Sequence, residues 1–465
     1  MNVLPVMAAL LISGFMGMLS ETALNMALSQ LMKEFGISPS AAQWLTTGYL
    51  LVLGILIPVS GLLIKRFTTR RLFITSLCFS ITGLLVAAVS PTFGVLLSGR
   101  IIQAIGTGLL VSLLFHTVLI LFPPWKRGTA MGIVGLVMMF APAIGPISAG
   151  LVIDYLNWHM IFWFILPFMV FALLFGILFL PNLTTPVKQK IDILSIVLST
   201  IGFGGIVFGF SFAGESGGWS SPVVLSALTA GAAAIGMYAV RQLTIPEPVL
   251  NLNVFRQPMF ILGIVITLFA NIIIFSANIL LPLYMQTGLG LAASSAGLLL
   301  LPGGIVNGLM SMISGRIFDK HGPRALLITG FVMSTAAVWF FSTVTSATSP
   351  YLIIFFFMLL MVSMSMVTTP SQTNGINQLS PDLYPDGSAV VNSMIQTSGA
   401  IGTALAISIM NATQRHYLSG AAHPASAGDL SQALISGVQN AFSFALIISV
   451  IGFVCSLFVR RVMVR

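Results

Sequence analysis

Charge is nearly missing from this chain. Of its 465 residues only 6% are Asp, Glu, Lys or Arg, where an ordinary soluble domain carries about 25%. So few charges cannot clothe the surface of a water-soluble globule of this length. The same scarcity excludes intrinsic disorder, which needs a polar, charged composition. Acid is the scarcer sign, with 10 Asp and Glu against 19 Lys and Arg. Cysteine is limited to Cys78 and Cys455, both inside apolar runs. They are expected to be small core residues, not a disulfide or a metal site. No Walker A loop is present, which excludes ATP as an energy source by that route, and no H-E-x-x-H is found. His116, His159, His321, His416 and His423 are scattered without ligand spacing, so no metal and no enzyme activity are expected.

What fills the chain is hydrocarbon. Hydrophobic residues make up 57% and mean hydropathy is +1.05. Gly (44), Met (24) and Phe (34) are abundant, and helices packed in lipid use Gly for close approach. The composition is that of a protein embedded in a lipid bilayer. A crossing helix needs ~20 mostly apolar residues. Fourteen such runs are read, at 4–30, 43–64, 72–90, 93–119, 129–153, 160–180, 193–213, 222–240, 258–285, 294–315, 325–343, 350–370, 386–411 and 438–459. They are too long, and alternate too little, for a β-barrel. The apolar start at Val3, with no basic leader, reads as a first span and not as a cleaved signal.

A net charge of +9 invites a nucleic-acid reading, but the distribution opposes it. With the N-terminus placed in the cytoplasm, sixteen of the 19 Lys and Arg fall in inside loops and the tail; only Lys33 and Arg415 fall outside, and Arg100 lies within a span. That is the positive-inside pattern of a multi-pass membrane protein with both termini cytoplasmic. Polar linkers at 181–192 and 241–257 bracket spans 7 and 8, the second held extended by Pro246 and Pro248. Removing that pair leaves six spans on each side, as in transporters built from repeats. The expected organisation is an N-terminal six-helix bundle (1–180), a linker with two inserted helices (181–257) and a C-terminal six-helix bundle (258–465). The outer loop 412–437, rich in Ala, Ser and Gly, is expected to be mobile.

Span 1 carries the clearest acid well inside an apolar run. Gly14, Gly17, Glu21, Asn25 and Ser29 recur at helical spacing on one face. A small, polar face in a greasy helix should line an interior cavity, and intramembrane acids mark proton relays by default. The competing reading is a carboxylate permanently paired with Arg100 or neutralised by hydrogen bonds. Arg100 itself either faces the interior or snorkels to the outer surface. Asp154 and Glu215, near the outer ends of spans, are secondary acidic candidates, and Asp192 can complement the N-terminus of span 7. In the second half, Asn392, Gln396, Gly399 and Gly402 share a face of span 13, and Asn271, Asn278 and Gln286 could add cavity hydrogen bonds.

Several motifs stand where this topology would put them. Gly315-Arg316-Ile317-Phe318-Asp319-Lys320-His321-Gly322-Pro323-Arg324 resembles the G-x-x-x-D-[RK]-x-G-x-[RK] loop of the major facilitator superfamily. Its Asp can sit at a helix N-terminus while the basic residues latch neighbouring helices. In the first half, Gly61 and the basic residues recur, but Lys65 stands where the family has Asp and Thr68 where it has Gly. Arg100, Gln103, Gly106 and Gly108 are similar to its R-x-x-Q-x-x-G-x-G. Gly145, Pro146 and Gly150 resemble the G-P-x-x-G-G antiporter signature, followed by Asp154, Trp158 and Phe162, with His159 in place of an Arg. Thr22, Asn25, Ala27 and Leu28 match the L-D-x-T-I-V-N-V-A-L-P motif of the fourteen-span drug:proton antiporters. Ser20 replaces its Asp, and Glu21, ~100° further round the helix, supplies the carboxyl group. Within that branch the chain is similar to Gram-positive multidrug and lincomycin-resistance exporters.

The resemblance implies an all-α major facilitator fold in a bacterial cell membrane. It implies a monomeric proton-coupled antiporter that exports small amphipathic or cationic compounds by alternating access, with protons as the coupling ion and no other cofactor. Glu21 and Arg100 would couple the proton. Asn25, Gln103, Asn271, Asn278, Asn392 and Gln396 would line the cavity. Gly145, Pro146, Gly150, Gly315, Asp319, Gly322 and Arg324 would form the gate. Two readings remain open beside it: an exporter of one endogenous metabolite, lipid or peptide, and a non-transporting membrane scaffold or sensor.

Overall fold

The computed structural model describes residues 3–37, 39–183, 186, 192–213, 218–246, 248–291, 293–419 and 427–462. Among them there are helices and no strands. The first half holds α1 (Val3–Ala23), α2 (Leu28–Phe35), α3 (Pro39–Arg66), α4 (Thr69–Ala88), α5 (Phe93–Leu121), α6 (Arg127–Tyr155) and α7 (His159–Phe179). Next come α8 (Ile193–Phe212) and α9 (Pro222–Thr244). The second half holds α10 (Pro258–Leu283), α11 (Ala293–His321), α12 (Pro323–Phe341), α13 (Pro350–Asn377), α14 (Tyr384–Ser419) and α15 (Ala427–Leu457). Among the described residues twelve helices are long and apolar enough to cross a membrane, or up to thirteen if a bent pair within α3 is one span. α6, 29 residues long, lies outside that count.

The sequence punctuates these helices in simple ways. Pro222, Pro258, Pro323 and Pro350 open α9, α10, α12 and α13, where the missing N–H of proline has no partner to lose. The Thr68 hydroxyl accepts from the Arg71 N–H at the start of α4. Gly36 closes α2 and Gly322 separates α11 from α12, both at positive φ.

Two apolar clusters hold the molecule. One gathers Leu10 of α1, Leu77 of α4, Leu114 of α5, Trp158 just before α7 and Phe162 of α7, and runs on to Phe260 of α10 and Val390 of α14. The other gathers Ile273, Phe331, Phe357 and Phe442 of α10–α15. Two seams join them, α6 against α11 and α3 against α14. The inserted helices pair with each other across Gly202, Gly205 and Gly231, and α8 leans on both α3 and α14. At the far end of the pair, Trp219 donates its indole N–H to Ser408 Oγ of α14 (2.6 Å).

Two expectations need correction. The loop expected over 412–437 is largely helical: α14 runs on to Ser419 and α15 begins at Ala427, because 411–419 holds neither Pro nor Gly and 427–437 holds no Pro, so nothing stops a helix at the edge of the apolar run. The residues between, 420–426, lie outside the described ones. Cys78 is exposed on α4, not in a core, while Cys455 is half-buried and both thiols are free. A thiol on an outward face of a span is as much at home against lipid as inside.

Candidate functional site

α5 is the spine of the first half. It crosses α4 so closely that a Cβ at Gly83 would stand 2.4 Å from the Gln103 amide nitrogen. That contact fixes the register of α5 and presents Arg100, Gln103 and Thr107 toward α1 and α3. Gly17 on α1 meets the Thr107 side chain at 3.0 Å in the same sense.

Arg100 is fully buried, which removes the snorkelling alternative. Its Nη1 donates to the Ser20 carbonyl (3.0 Å), Ser20 Oγ (3.3 Å) and Gln103 Oε1 (2.9 Å), and its Nη2 to the Glu21 carbonyl (3.3 Å). Gln103 Nε2 donates to Ser20 Oγ at 2.6 Å. The guanidinium lies 4.3 Å from the centre of the Tyr49 ring of α3, a cation–π arrangement. The Tyr49 hydroxyl donates to Thr107 Oγ1 (2.8 Å) and approaches the Gly17 carbonyl (3.5 Å). Three helices therefore meet in one polar knot inside an apolar bundle.

Glu21 sits at this knot but is not tied into it. Its Oε2 is buried without a hydrogen-bond partner, as is Arg100 Nε. No ion pair joins the two among the described residues, so the permanent Glu21–Arg100 pair is not what the structure holds. The helix breaks immediately after, in a 3-10 turn at Leu24–Ala27, a local tightening that often marks a hinge. On the other side, Gly145 of α6 lets α6 cross α1 beside the same turn: a Cβ there would lie 2.3 Å from Thr22 Oγ1 and 3.1 Å from the Leu19 carbonyl. An apolar hollow of about 790 Å³, lined by Leu11, Ile12, Phe15, Met16, Val137, Pro167, Phe168 and Phe171, lies on the face of α1 turned away from Gly14, Gly17 and Glu21. It is separate from the acid.

The ends that carry the basic clusters are shut along both seams. On one, Asp319 of α11 accepts from the Gly128 N–H (2.9 Å), the Thr129 N–H (2.8 Å) and the Thr129 hydroxyl (2.6 Å). The carboxylate thus occupies the N-terminus of α6, where unpaired N–H groups and the helix dipole favour negative charge. Gly315 and Gly128 make room for it; a Cβ on Gly315 would be 2.1 Å from the Gly128 carbonyl oxygen. Beside them Arg127 reaches across to Asn377 Oδ1 (3.2 Å) and the Tyr384 hydroxyl (2.7 Å). Arg461 of the tail donates to the Asp319 and Lys320 carbonyls (2.8 and 3.1 Å) and packs on Gly322.

On the second seam, Lys65 in the last turn of α3 pairs with Asp386 in the first turn of α14 at 2.5 Å, and Asp386 has no exposed side-chain surface. Each charge complements the dipole of its own helix. Lys65 stands where the motif that this loop resembles has Asp, and the acid of this seam, Asp386, stands on the opposite helix.

The remaining candidates fall apart from the knot. Asn271 and Asn392 are buried and donate to the Thr267 and Ser388 carbonyls of their own helices (2.8 and 2.9 Å). Gln396 is half-buried, and Asn278 and Gln286 are exposed. Arg324 is exposed and makes none of the latch contacts; Arg461 stands there instead, because Gly322 leaves room for its stem. The side chains of Asn25, Ser29, Pro146, Gly150 and Asp154, and Glu215 as a whole, lie outside the described residues. The Asp192 carboxylate at the start of α8 forks onto Arg241 (2.7 and 2.9 Å) and accepts from Ser195 Oγ (2.5 Å).

Sequence reasoning missed Tyr49, the Arg127 bridge and Asp386. For Tyr49 no pattern stands out in an apolar run. For Asp386 a signal existed: a lone acid opening a span, opposite a loop in which Lys had taken the place of Asp.

The Major Facilitator Superfamily pattern matches residues 10–407. The lincomycin resistance protein LmrB of Bacillus subtilis (strain 168) is 56% identical over 464 residues, covering 100% of this chain and 97% of that protein. A protein of the same name from Listeria monocytogenes is 54% identical over 458 residues, covering 98% and 97%. The crystal structure of the human organic anion transporter MFSD10 (TETRAN) superposes with a TM-score of 0.66 at 15% identity, covering 98% of this chain and 100% of that one; at that identity it bears on the fold alone.

Proposed function

The chain belongs to the major facilitator superfamily, and from that premise we propose that it exports amphipathic, cationic or polar-cationic drugs, lincosamides among them, in exchange for protons. The observation that carries the proposal is the buried, unpartnered Oε2 of Glu21 beside an Arg100 anchored on main-chain carbonyls. An unsatisfied carboxyl oxygen in a dry site has to be explained, and a group that is alternately protonated and bound to a cation explains it. Glu21 takes a proton when the site faces outward, and the substrate leaves. It gives the proton up when the site faces inward, and the carboxylate then receives the next cation.

The two bundles of six helices rock about the site, with the α3–α14 and α6–α11 seams closed in the outward-facing state. In this reading α1 and α3–α15, fourteen helices, span a bacterial plasma membrane, both termini are cytoplasmic, the transporter works as a monomer and it catalyses no covalent chemistry. The drug specificity draws on the names of the LmrB relatives. A proton is worth ~1.4 kcal/mol per pH unit, and the membrane potential adds ~2.3 kcal/mol per 100 mV for each net charge moved.

The test is efflux of lincomycin and ethidium from energised cells, with wild type beside Glu21→Gln. Efflux that needs the proton gradient and vanishes in the variant supports the reading. Efflux that persists in Glu21→Gln removes the proton from this residue. A folded, membrane-inserted protein that moves neither compound overturns the drug assignment.

A further inference from the structure

The inserted helices α8 and α9 have no part in the exchange just described, yet their base is joined to the α3–α14 seam by an unbroken run of hydrogen bonds. It starts at Asp192, which holds Arg241 of α9 and the Ser195 hydroxyl of α8. Gln242, buried on α9, donates from Nε2 to Ser195 Oγ (2.6 Å) and accepts from the Leu250 N–H on Oε1 (3.2 Å). The next residue, Asn251, donates its backbone N–H to Asp386 Oδ1 (3.2 Å). The other oxygen of Asp386 holds Lys65. One amide side chain thus fixes the linker that presents an N–H to one half of a buried carboxylate.

We propose that Gln242 is a positioning residue for transport: through the 250–251 linker it orients Asp386 for Lys65, so that the inserted pair braces the α3–α14 seam in its closed state. The physical reason lies in the carboxylate. A buried Asp needs several donors, and Lys65 supplies one direction only. Without the Asn251 N–H, one oxygen is left bare in an apolar seam, and the closed state loses part of its preference over the open one. Between the end of α9 at Thr244 and the turn that begins at Leu252 the linker is seated by the buried side chains of Val249 and Leu250, and its backbone is tied to α9 through the Gln242 side chain. Gln242 reaches across that gap. The brace also moves with α14, since Trp219 fastens the opposite end of the pair to Ser408.

This inference rests on the alternating-access reading, and the experiment separates the two. In a Cys78→Ser/Cys455→Ser background, spin labels are placed at Phe67 and Asp382, both exposed beside the seam. The distance distribution is then recorded in reconstituted full-length protein across pH and with lincomycin. Wild type should show a short and a long population. Gln242→Ala should move the ratio toward the long one by roughly tenfold, as the loss of buried hydrogen bonds would. Asp386→Asn should move it in the same direction, and the double variant no further than Asp386→Asn alone. Gln242→Glu keeps the acceptor for Leu250 but loses the donor to Ser195 Oγ, whose own proton already goes to Asp192, so its distribution should fall between those of wild type and Gln242→Ala. Two populations in wild type that are unchanged in Gln242→Ala, or effects that add in the double variant, overturn the brace and leave the transport cycle standing. A single short distance in wild type under every condition overturns the alternating-access reading and the brace with it.

Discussion

Arg100 and Glu21 are neighbours without being partners. The guanidinium bypasses the carboxylate and holds the carbonyl oxygens of Ser20 and Glu21. It therefore fixes the turn that carries the acid while leaving the acid's Oε2 free. A lysine cannot reproduce this fork, because an ammonium has no planar face for Tyr49 and no spread of donors across two carbonyls and Gln103. Arg100→Lys should lower efflux at least about tenfold with the protein still inserted, and Tyr49→Phe, which keeps the ring and loses a hydrogen bond worth ~1 kcal/mol, should cost several-fold. Initial rates of ethidium efflux, normalised to protein in the membrane, test both.

The Lys65–Asp386 pair has the opposite polarity to the arrangement implied by the family motif. Lys65→Asp alone would face two carboxylates across a buried seam, and breaking a buried pair costs about 3–5 kcal/mol. Efflux should fall below about a tenth of wild type. Lys65→Asp combined with Asp386→Lys restores the attraction but sets both charges against their helix dipoles. Partial recovery, several-fold above either single variant, is the expected result of a resistance assay.

At the other seam the limit is steric. A methyl on Gly315 would meet the Gly128 carbonyl, and one on Gly128 would stand 2.5 Å from Asp319 Oδ1. Gly315→Ala and Gly128→Ala should each hold the basic ends apart. The readout is a thiol placed at Thr129 in a Cys78→Ser/Cys455→Ser background: it should react with a membrane-impermeant reagent from the basic side faster with either alanine present than with Thr129→Cys alone.

Asp192 gives a pH test outside the bilayer. Hydrogen bonds from Arg241, and less from Ser195, hold its carboxyl at about 2, below the usual 3.8. A depressed folded-state value means that the pair stabilises fully above pH ~4 and loses its contribution as pH falls toward 2. The difference in melting temperature between wild type and Asp192→Asn in detergent should be present at pH 7 and shrink steadily between pH 4 and 2. A difference that stays constant would assign the effect to packing.

Much of the fold could be read in advance because lipid imposes one rule: each crossing must satisfy its own backbone. Runs such as 93–119 and 160–180 therefore map onto α5 and α7 with small shifts at their ends. Helix ends were less legible where polar residues free of Pro and Gly continue a helix past the apolar run, as at Ser419. In the candidate site, Arg100, Gln103, Glu21 and Gly145 announced themselves by being polar or small in greasy helices. Tyr49 did not, because an aromatic in a span looks like any other apolar residue until a cation is set against its face. Asp386 was hidden by position, since an acid at the first residue of a predicted span reads as a solvated helix cap. Only the spatial meeting with Lys65, 321 residues away, shows it to be buried.

The hold of Arg100 on carbonyl oxygens has a consequence for how such a protein changes over generations. A clasp on the main chain is indifferent to the side chain at that point, so position 21, and position 20 apart from its hydroxyl, are free to vary without loosening the helix junction. An acid at either residue would leave the clasp on the carbonyls whole, and the motif that Thr22 and Asn25 resemble has its Asp at the position of Ser20. On the proposed proton exchange, stability and ion chemistry would thus be written in separate alphabets at the same turn, and a lineage could revise one without misspelling the other.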